Sequence, residues 1–266
     1  EKDQGVAPVS NRETNFLGMP VEVKVVPDNA TLVRVAAQEF HRLAEAGIKE
    51  HGRFSVALSG GNTPRAVYSL LADEHKELPW EGIHVFFGDE RHVPPDHPDS
   101  NFRMASESLL SKVPIPEENV HRIRAELAPE AAAKDYDNQL AEFFHLTNHD
   151  WPRFNLIFLG LGDDGHTASL FPGSSALSDV SSRVAANWVE KLQTFRITLT
   201  FPVLNHAADV IFLVSGESKA QILSAVLRPG TGKYPAQGVQ PENGRLLWLA
   251  DHDAGRLLRF ANPPSS

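Results

Sequence analysis

Cysteine is absent from all 266 residues, so no disulfide framework, thiolate nucleophile or cysteine-based zinc site can be built. That lack suits a reducing compartment, and a cytoplasmic location is expected. Long apolar runs are also missing. No stretch is long enough to span a bilayer, and the first nineteen residues have neither the positive start nor the apolar core of a secretory signal. Lys and Arg total 25 against 34 Asp and Glu, for a net charge of −9 with histidine neutral, and the basic residues form no block. This argues against nucleic acid or an anionic membrane as the main partner. It leaves room for a small anionic ligand where basic residues gather locally. No linker and no internal repeat divides the chain. Residues 1–20 are expected to form a loose leader and 21–266 a single domain, working as a monomer or a weak homo-oligomer.

The remaining composition, 41% hydrophobic and 22% charged, is that of an ordinary globular protein able to bury a sizeable core. Residues 21–26 alternate as a strand. Leu32, Val33, Ala36, Ala37, Phe40, Leu43 and Ala44 then recur at helical spacing, with a stop expected at Gly47. Short apolar runs at 54–58, 83–87 and 156–159 read as further strands, as do 183–186, 196–200, 208–215 and 246–250. Helices are expected after 62, through 110, over 128–144 and 216–227, and as a closing element over 251–260. Strands alternating with helices predict a layered α/β fold with a mostly parallel central sheet flanked by helices.

The stretch 155–173 holds the densest chemistry. Residues 156–159 form an apolar run without alternation, as expected of a strand buried on both faces. Gly160, Gly162 and Gly165 follow, together with Asp163, Asp164 and His166. Ligands of open α/β sheets bind outside the carboxyl ends of strands, which places His166 at the mouth of such a crevice, near the start of the next helix. A single histidine is by default a loop or capping residue. Imidazole, however, is the side chain whose unperturbed pKa lies nearest neutrality, and Asp164 two residues earlier can hold its tautomer, so the pattern points to a base. Asp163 stays unassigned, since a carboxylate there is often only a dipole partner or a solvated loop residue.

Two other strand ends carry related residues. Ser59, Gly60, Gly61, Asn62 and Thr63 offer hydroxyls and backbone N–H groups ahead of a helix with Pro64 in its first turn, which suits a phosphate. An ordinary βα turn accounts for the same glycines, and the segment is neither a Walker A loop nor a complete dinucleotide fingerprint. The cluster Asp89, Glu90 and Arg91 can form a salt-bridged surface turn. Its place after a buried strand points instead to a site, where Arg91 or Arg103 can grip phosphate oxygens through a forked guanidinium and Asp89 can order Arg91 or meet sugar hydroxyls. Arg196 is a further candidate anion contact. His145 and His149 lack the glutamate of a zinc-binding HExxH helix and read as surface residues, so no metal is indicated.

The strings LSGGNTP (58–64), FGDERHVP (87–94), SNFR (100–103) and GLGDDGHTASLFP (160–172), in that order, resemble the motifs of the 6-phosphogluconolactonase family. RITLT (196–200) and PAQG (235–238) fit as well, so the resemblance runs from about residue 21 to 260. It implies a Rossmann-like fold of the glucosamine-6-phosphate deaminase/ribose-5-phosphate isomerase type. The implied reaction is hydrolysis of 6-phosphoglucono-δ-lactone in the pentose phosphate pathway, with His166 as general base and no metal or organic cofactor. Asp163 departs from the pattern, where most relatives are expected to carry proline. Deaminases on this scaffold carry a glutamate five residues after the histidine; here that position is Phe171, which cannot relay protons. An isomerase or deaminase is therefore the weaker reading, and so is a non-catalytic sugar-phosphate sensor, which has no need of His166 and Asp164.

Overall fold

In a computed structural model the chain is described over residues 10–16, 19–148, 150–228 and 232–258. His149, part of the expected loop at 229–238 and the end of the expected helix over 251–260 lie outside the described residues. Seven strands form one sheet. In spatial order they are β1 (Ser10–Phe16), β2 (Met19–Val26), β10 (Arg245–Asp251), β9 (Asp209–Val214), β6 (Leu156–Leu159), β3 (Phe54–Leu58) and β4 (Ile83–Phe87). All neighbours run parallel except β1, which pairs antiparallel with β2 from Ser10↔Val25 to Phe16↔Met19. β1 falls inside the stretch expected to be a loose leader. Its sequence is polar, but an edge strand contributes backbone hydrogen bonds to the ladder and needs no apolar alternation to do so.

Every residue of β3 and β6 is buried, as a parallel sheet covered on both faces requires. Helix α1 (Asn29–His51) starts where Asp28 accepts the Thr31 N–H at 2.7 Å. It lays Leu32, Ala36, Phe40 and Ala44 on the sheet. Phe40 meets Phe54 edge-on at 5.4 Å and stacks on Phe158 at 6.4 Å. The helix passes the expected stop at Gly47, because Gly47 packs into the core against Phe54 and β3. The other helices are α2 (Asn62–Glu74), α3 (Asn101–Ala105), α4 (Pro129–Phe144), α5 (Phe201–His206), α6 (Ala220–Val226) and α7 (His252–Gly255). Among the described residues no helix is long and apolar enough to cross a membrane.

A second sheet stands apart from the first. β5 (Asp89–Arg91), β8 (Thr194–Leu199) and β7 (Val184–Val189) are antiparallel and pair in that order. The sequence placed the two longer strands in the same region but gave no reason to separate them from the parallel sheet. The small sheet is tied to the end of β4, where the Leu199 N–H donates to the Gly88 carbonyl at 2.9 Å.

Because β3, β4, β6 and β9 run the same way, their carboxyl ends and the residues after them lie along one edge. The chain passes from β3 to β4 on one side and returns later to β6 on the other, so the order reverses at β3, the place where the crevice of an open α/β sheet is expected. At the far end of the sheet, Arg245 gathers Glu22 (2.9 Å), Glu39 (2.8 Å) and Asp209 (3.4 Å) and so joins β10, β2, α1 and β9. Burial opposes the charge on Arg245, but its carboxylate partners outweigh that and raise its pKa.

Candidate active site

The turn after β6 holds His166 in one orientation. Its Nδ1 lies 2.6 Å from Asp164 Oδ1, and its backbone N–H donates to the same oxygen at 3.2 Å. Asp164 Oδ2 accepts from Lys191 Nζ at 3.2 Å. Burial pushes the Asp164 carboxyl up, but the bonds from His166 and Lys191 win and bring it to about 2. An ionised carboxylate on Nδ1 leaves Nε2 to accept a proton. The ring comes so near the preceding backbone that a Cβ on Gly162 would stand 2.0 Å from His166 Nδ1. Only glycine fits there.

His166 was expected near a helix start, and no helix follows it. Ala168 takes a left-handed backbone (φ 47°), the chain reverses, and Thr167 pairs with Leu170. Thr167 Oγ1 donates to the Gly160 carbonyl at 2.8 Å, which closes the turn on itself. Pro172 disfavours a helical Phe171, and the chain turns again at once, the Ser174 N–H donating to the Phe171 carbonyl at 3.1 Å with Gly173 at φ 76°. The Phe171 ring then stacks on His166, with centroids 4.0 Å apart and planes 20° from parallel.

Asp89 and Glu90 are buried rather than part of a surface turn. Asp89 does not order Arg91: its Oδ2 accepts from Ser169 Oγ at 2.6 Å and its Oδ1 from Asn101 Nδ2 at 3.3 Å. It thereby links the end of β4 to the His166 turn. Glu90 accepts the N–H groups of Arg91, Asn101 and Phe102 and the Ser100 hydroxyl. Burial raises its pKa in spite of these donors. It anchors the start of α3, and Asn101 in turn lies where a Cβ on Gly60 would need to be, 2.1 Å from the Asn101 Oδ1. The two glycine-rich turns are therefore locked to the same acidic pair.

Register brings two arginines together: Arg91 faces Arg196 directly across β5 and β8. Arg91 donates to the Asp99 carbonyl at 2.6 Å, yet its Nε and that of Arg196 are buried without a hydrogen-bond partner. Burial, and then the neighbouring Arg91, lower the Arg196 pKa. Two adjacent guanidinium groups thus keep unspent N–H donors side by side, chemistry that suits an anion. Arg103 is placed differently, exposed and engaged with Glu107 at 2.7 Å and the Asp96 carbonyl at 2.8 Å. Ser59 and Thr63 flank the start of α2, and the N–H groups of Gly60 and Gly61 are without an acceptor among the described residues. The Ser59 N–H is already taken by the Tyr68 hydroxyl at 2.9 Å, which donates back to the Ser59 carbonyl at 2.8 Å. Tyr136 clamps Phe87 at the end of β4 in the same way.

Two lysines were not anticipated. Lys191, on the turn between β7 and β8, has no sequence signal. Lys219 follows Gly216 beyond the end of β9, a strand-end position of the kind that marked the other loops. Lys219 pairs with the exposed Asp163, and that hydrogen bond and charge lower the Asp163 pKa. Both acids of the histidine turn thus carry a lysine. Beside them lies a cavity of about 470 Å³ lined by residues including Asp164, Phe171, Trp188 and Lys191. A larger one of about 590 Å³, between α4 and β7, does not include the histidine turn.

An α/β sheet with a carboxylate-held histidine at one strand end and paired guanidinium groups at the next has the arrangement expected of an enzyme of acid–base chemistry on an anionic ligand. The chain belongs to the family described as glucosamine-6-phosphate isomerases/6-phosphogluconolactonase, which it matches over residues 27–248. It is 49% identical to the 6-phosphogluconolactonase of Synechocystis sp. (strain ATCC 27184 / PCC 6803 / Kazusa) over 80% of this chain and 88% of that one. With the 6-phosphogluconolactonase of Nostoc sp. (strain PCC 7120 / SAG 25.82 / UTEX 2576) it shares 41% identity over 90% and 99%. The solved 6-phosphogluconolactonase from Trypanosoma cruzi superposes with a TM-score of 0.82 at 30% identity, covering 93% of this chain and 99% of that one. A monomeric glucosamine-6-phosphate deaminase shares the fold, with a TM-score of 0.75 at 20% identity over 89% and 99%.

Proposed function

We propose that this protein hydrolyses 6-phospho-D-glucono-1,5-lactone to 6-phospho-D-gluconate, the second step of the oxidative pentose phosphate pathway. The observation that carries the mechanism is the 2.6 Å contact between His166 Nδ1 and Asp164 Oδ1. It fixes the ring so that Nε2 takes a proton from water as the water oxygen bonds to C1 of the lactone. The carbonyl electrons move to oxygen, and N–H donors of the glycine-rich turns offset that charge. Collapse breaks the bond between C1 and the ring oxygen, and protonated His166 returns its proton to the departing oxygen. Asp164 stays ionised throughout.

The phosphate rests on Arg91 and Arg196, with Ser59, Gly60, Gly61 and Thr63 supplying neutral donors, and so sets C1 against the base. Arg103, engaged with Glu107, supports this end from outside, and Asp89 holds Ser169 and the histidine turn in place. Phe171, in van der Waals contact with the imidazole, speaks against a deaminase or isomerase relay through that position. We place the enzyme in the cytoplasm, as a monomer or weak homo-oligomer without cofactor or nucleic-acid partner; the cysteine-free, acidic composition supports this. The test is to add the protein to fresh lactone and follow acid release against the spontaneous rate. No acceleration over that background overturns the assignment.

A further inference from the structure

Away from the histidine turn, α1 and the end of α2 bring two imidazoles and a carboxylate to one point. His41 Nδ1 lies 2.8 Å from His75 Nδ1 and 3.8 Å from Glu77 Oε1. One ligand atom from each of the three falls within 4.8 Å of the others. We propose that His41, His75 and Glu77 bind a divalent transition-metal ion of the zinc, nickel or copper kind, a site beyond the proposed reaction and independent of it.

The distances fit the chemistry. Ligands at about 2.0–2.1 Å around a tetrahedral ion stand about 3.3 Å apart, and the observed separations bracket that value. Small side-chain rotations, with the exposed Glu77 moving most freely, bring the three to one centre and leave a fourth position for water. Two imidazoles and one carboxylate select borderline ions over magnesium or calcium, which prefer sites built wholly of oxygen.

The neighbours of the cluster strengthen the case. Glu45, one turn along α1, has Oε1 3.4 Å from the other nitrogen of His41. A carboxylate beside Nε2 favours the tautomer protonated there, which leaves the Nδ1 lone pair for an ion, an arrangement typical of metal-bound histidine. His75 also caps α2, its N–H donating to the Leu71 carbonyl, and the last turn of α2 holds no basic residue. An ion there compensates the negative end of the helix. The glycine-rich loop that opens α2 lies at its other end, about 20 Å away along 13 residues of helix. The ion is therefore a staple between α1 and the α2 turn, remote from the lactone.

The test uses the full chain stripped with EDTA and dialysed, then titrated with ZnCl2 in a calorimeter and melted with and without zinc. One zinc per chain and a raised Tm are expected, with MgCl2 producing neither. His75→Gln and the exposed-site variant Glu77→Gln should each weaken zinc binding by about tenfold or more, while lactone turnover stays at the wild-type level and shows that both are folded. Absence of zinc binding, or equal affinity and stoichiometry in both variants, overturns the site. Turnover that tracks zinc occupancy overturns its separation from catalysis.

Discussion

The ring of Phe171 lies nearly parallel to that of His166, 4.0 Å away, and covers one face of the imidazole while Asp164 holds its edge. The histidine is thus fixed by one polar and one apolar contact. Ring pairs of this kind contribute about 0.5–1.5 kcal/mol. Phe171→Ala is expected to lower kcat by a few-fold to about tenfold, with KM little changed, because the proposed base loses its backing while the proposed phosphate seat stays intact. Steady-state kinetics on the lactone check this; an unchanged kcat would show that Asp164 alone positions the ring.

His166→Asn keeps a polar side chain of similar reach without a basic nitrogen. A positioned base typically contributes about 10²–10⁴-fold, so the loss should fall in that range and appear in kcat. Rates need correction for spontaneous opening. A corrected kcat within a few-fold of wild type would remove His166 from the role.

Arg91→Ala and Arg196→Ala each delete half of the proposed phosphate seat. Charge-assisted hydrogen bonds are worth about 1.5–3 kcal/mol, which corresponds to a rise in KM of about 10–100-fold for the phosphorylated lactone. Dephosphorylated gluconolactone should be a poor substrate for wild type and for both variants alike. If either substitution harms the two lactones equally, the arginines serve the fold rather than the phosphate.

His121 stacks on Phe86 at 4.2 Å, and burial, then the nearby His84, lower its pKa from 6.5 to about 4. Burial, followed by Arg53, also lowers that of His84. The unfolded chain therefore binds protons more readily than the folded one between these values. Stability should be full above about pH 6.5 and fall as the pH drops toward 4. Urea midpoints measured across that range should decline in wild type and decline less steeply in His121→Phe. Parallel curves would assign the acid sensitivity elsewhere.

The alternation of strands and helices was legible because β3, β4, β6 and β9 are short apolar runs followed by glycine, and the strand-end rule then marked Ser59, Asp89 and His166 as neighbours. What periodicity could not carry was pairing at long range. Asp89 and Glu90 have no apolar pattern, and they are buried because Ser169, Asn101 and backbone N–H groups satisfy them. The meeting of Arg91 with Arg196 depends on the register of β5 against β8, more than a hundred residues apart in the chain. Lys191 and Lys219 reach the histidine turn only through tertiary structure. The engagement of Arg103 with Glu107, by contrast, follows from an ordinary four-residue helical spacing and was open to reading.

The place of β10 between β2 and β9 sets a timetable for synthesis. β2 leaves the ribosome early, but its parallel neighbour, paired through Leu247↔Glu22, follows more than two hundred residues later. Until then β9 and β2 each offer an unpaired edge, Glu22 and Asp209 lack the cation that joins them, and Glu39 has only Arg42. Sheets assembled from such distant pairings form slowly and are exposed to aggregation while they wait. Ribosome-held chains halted before Arg245 should remain open to protease, and those long enough to release β10 should become resistant. Early resistance would mean that the other strands close without it.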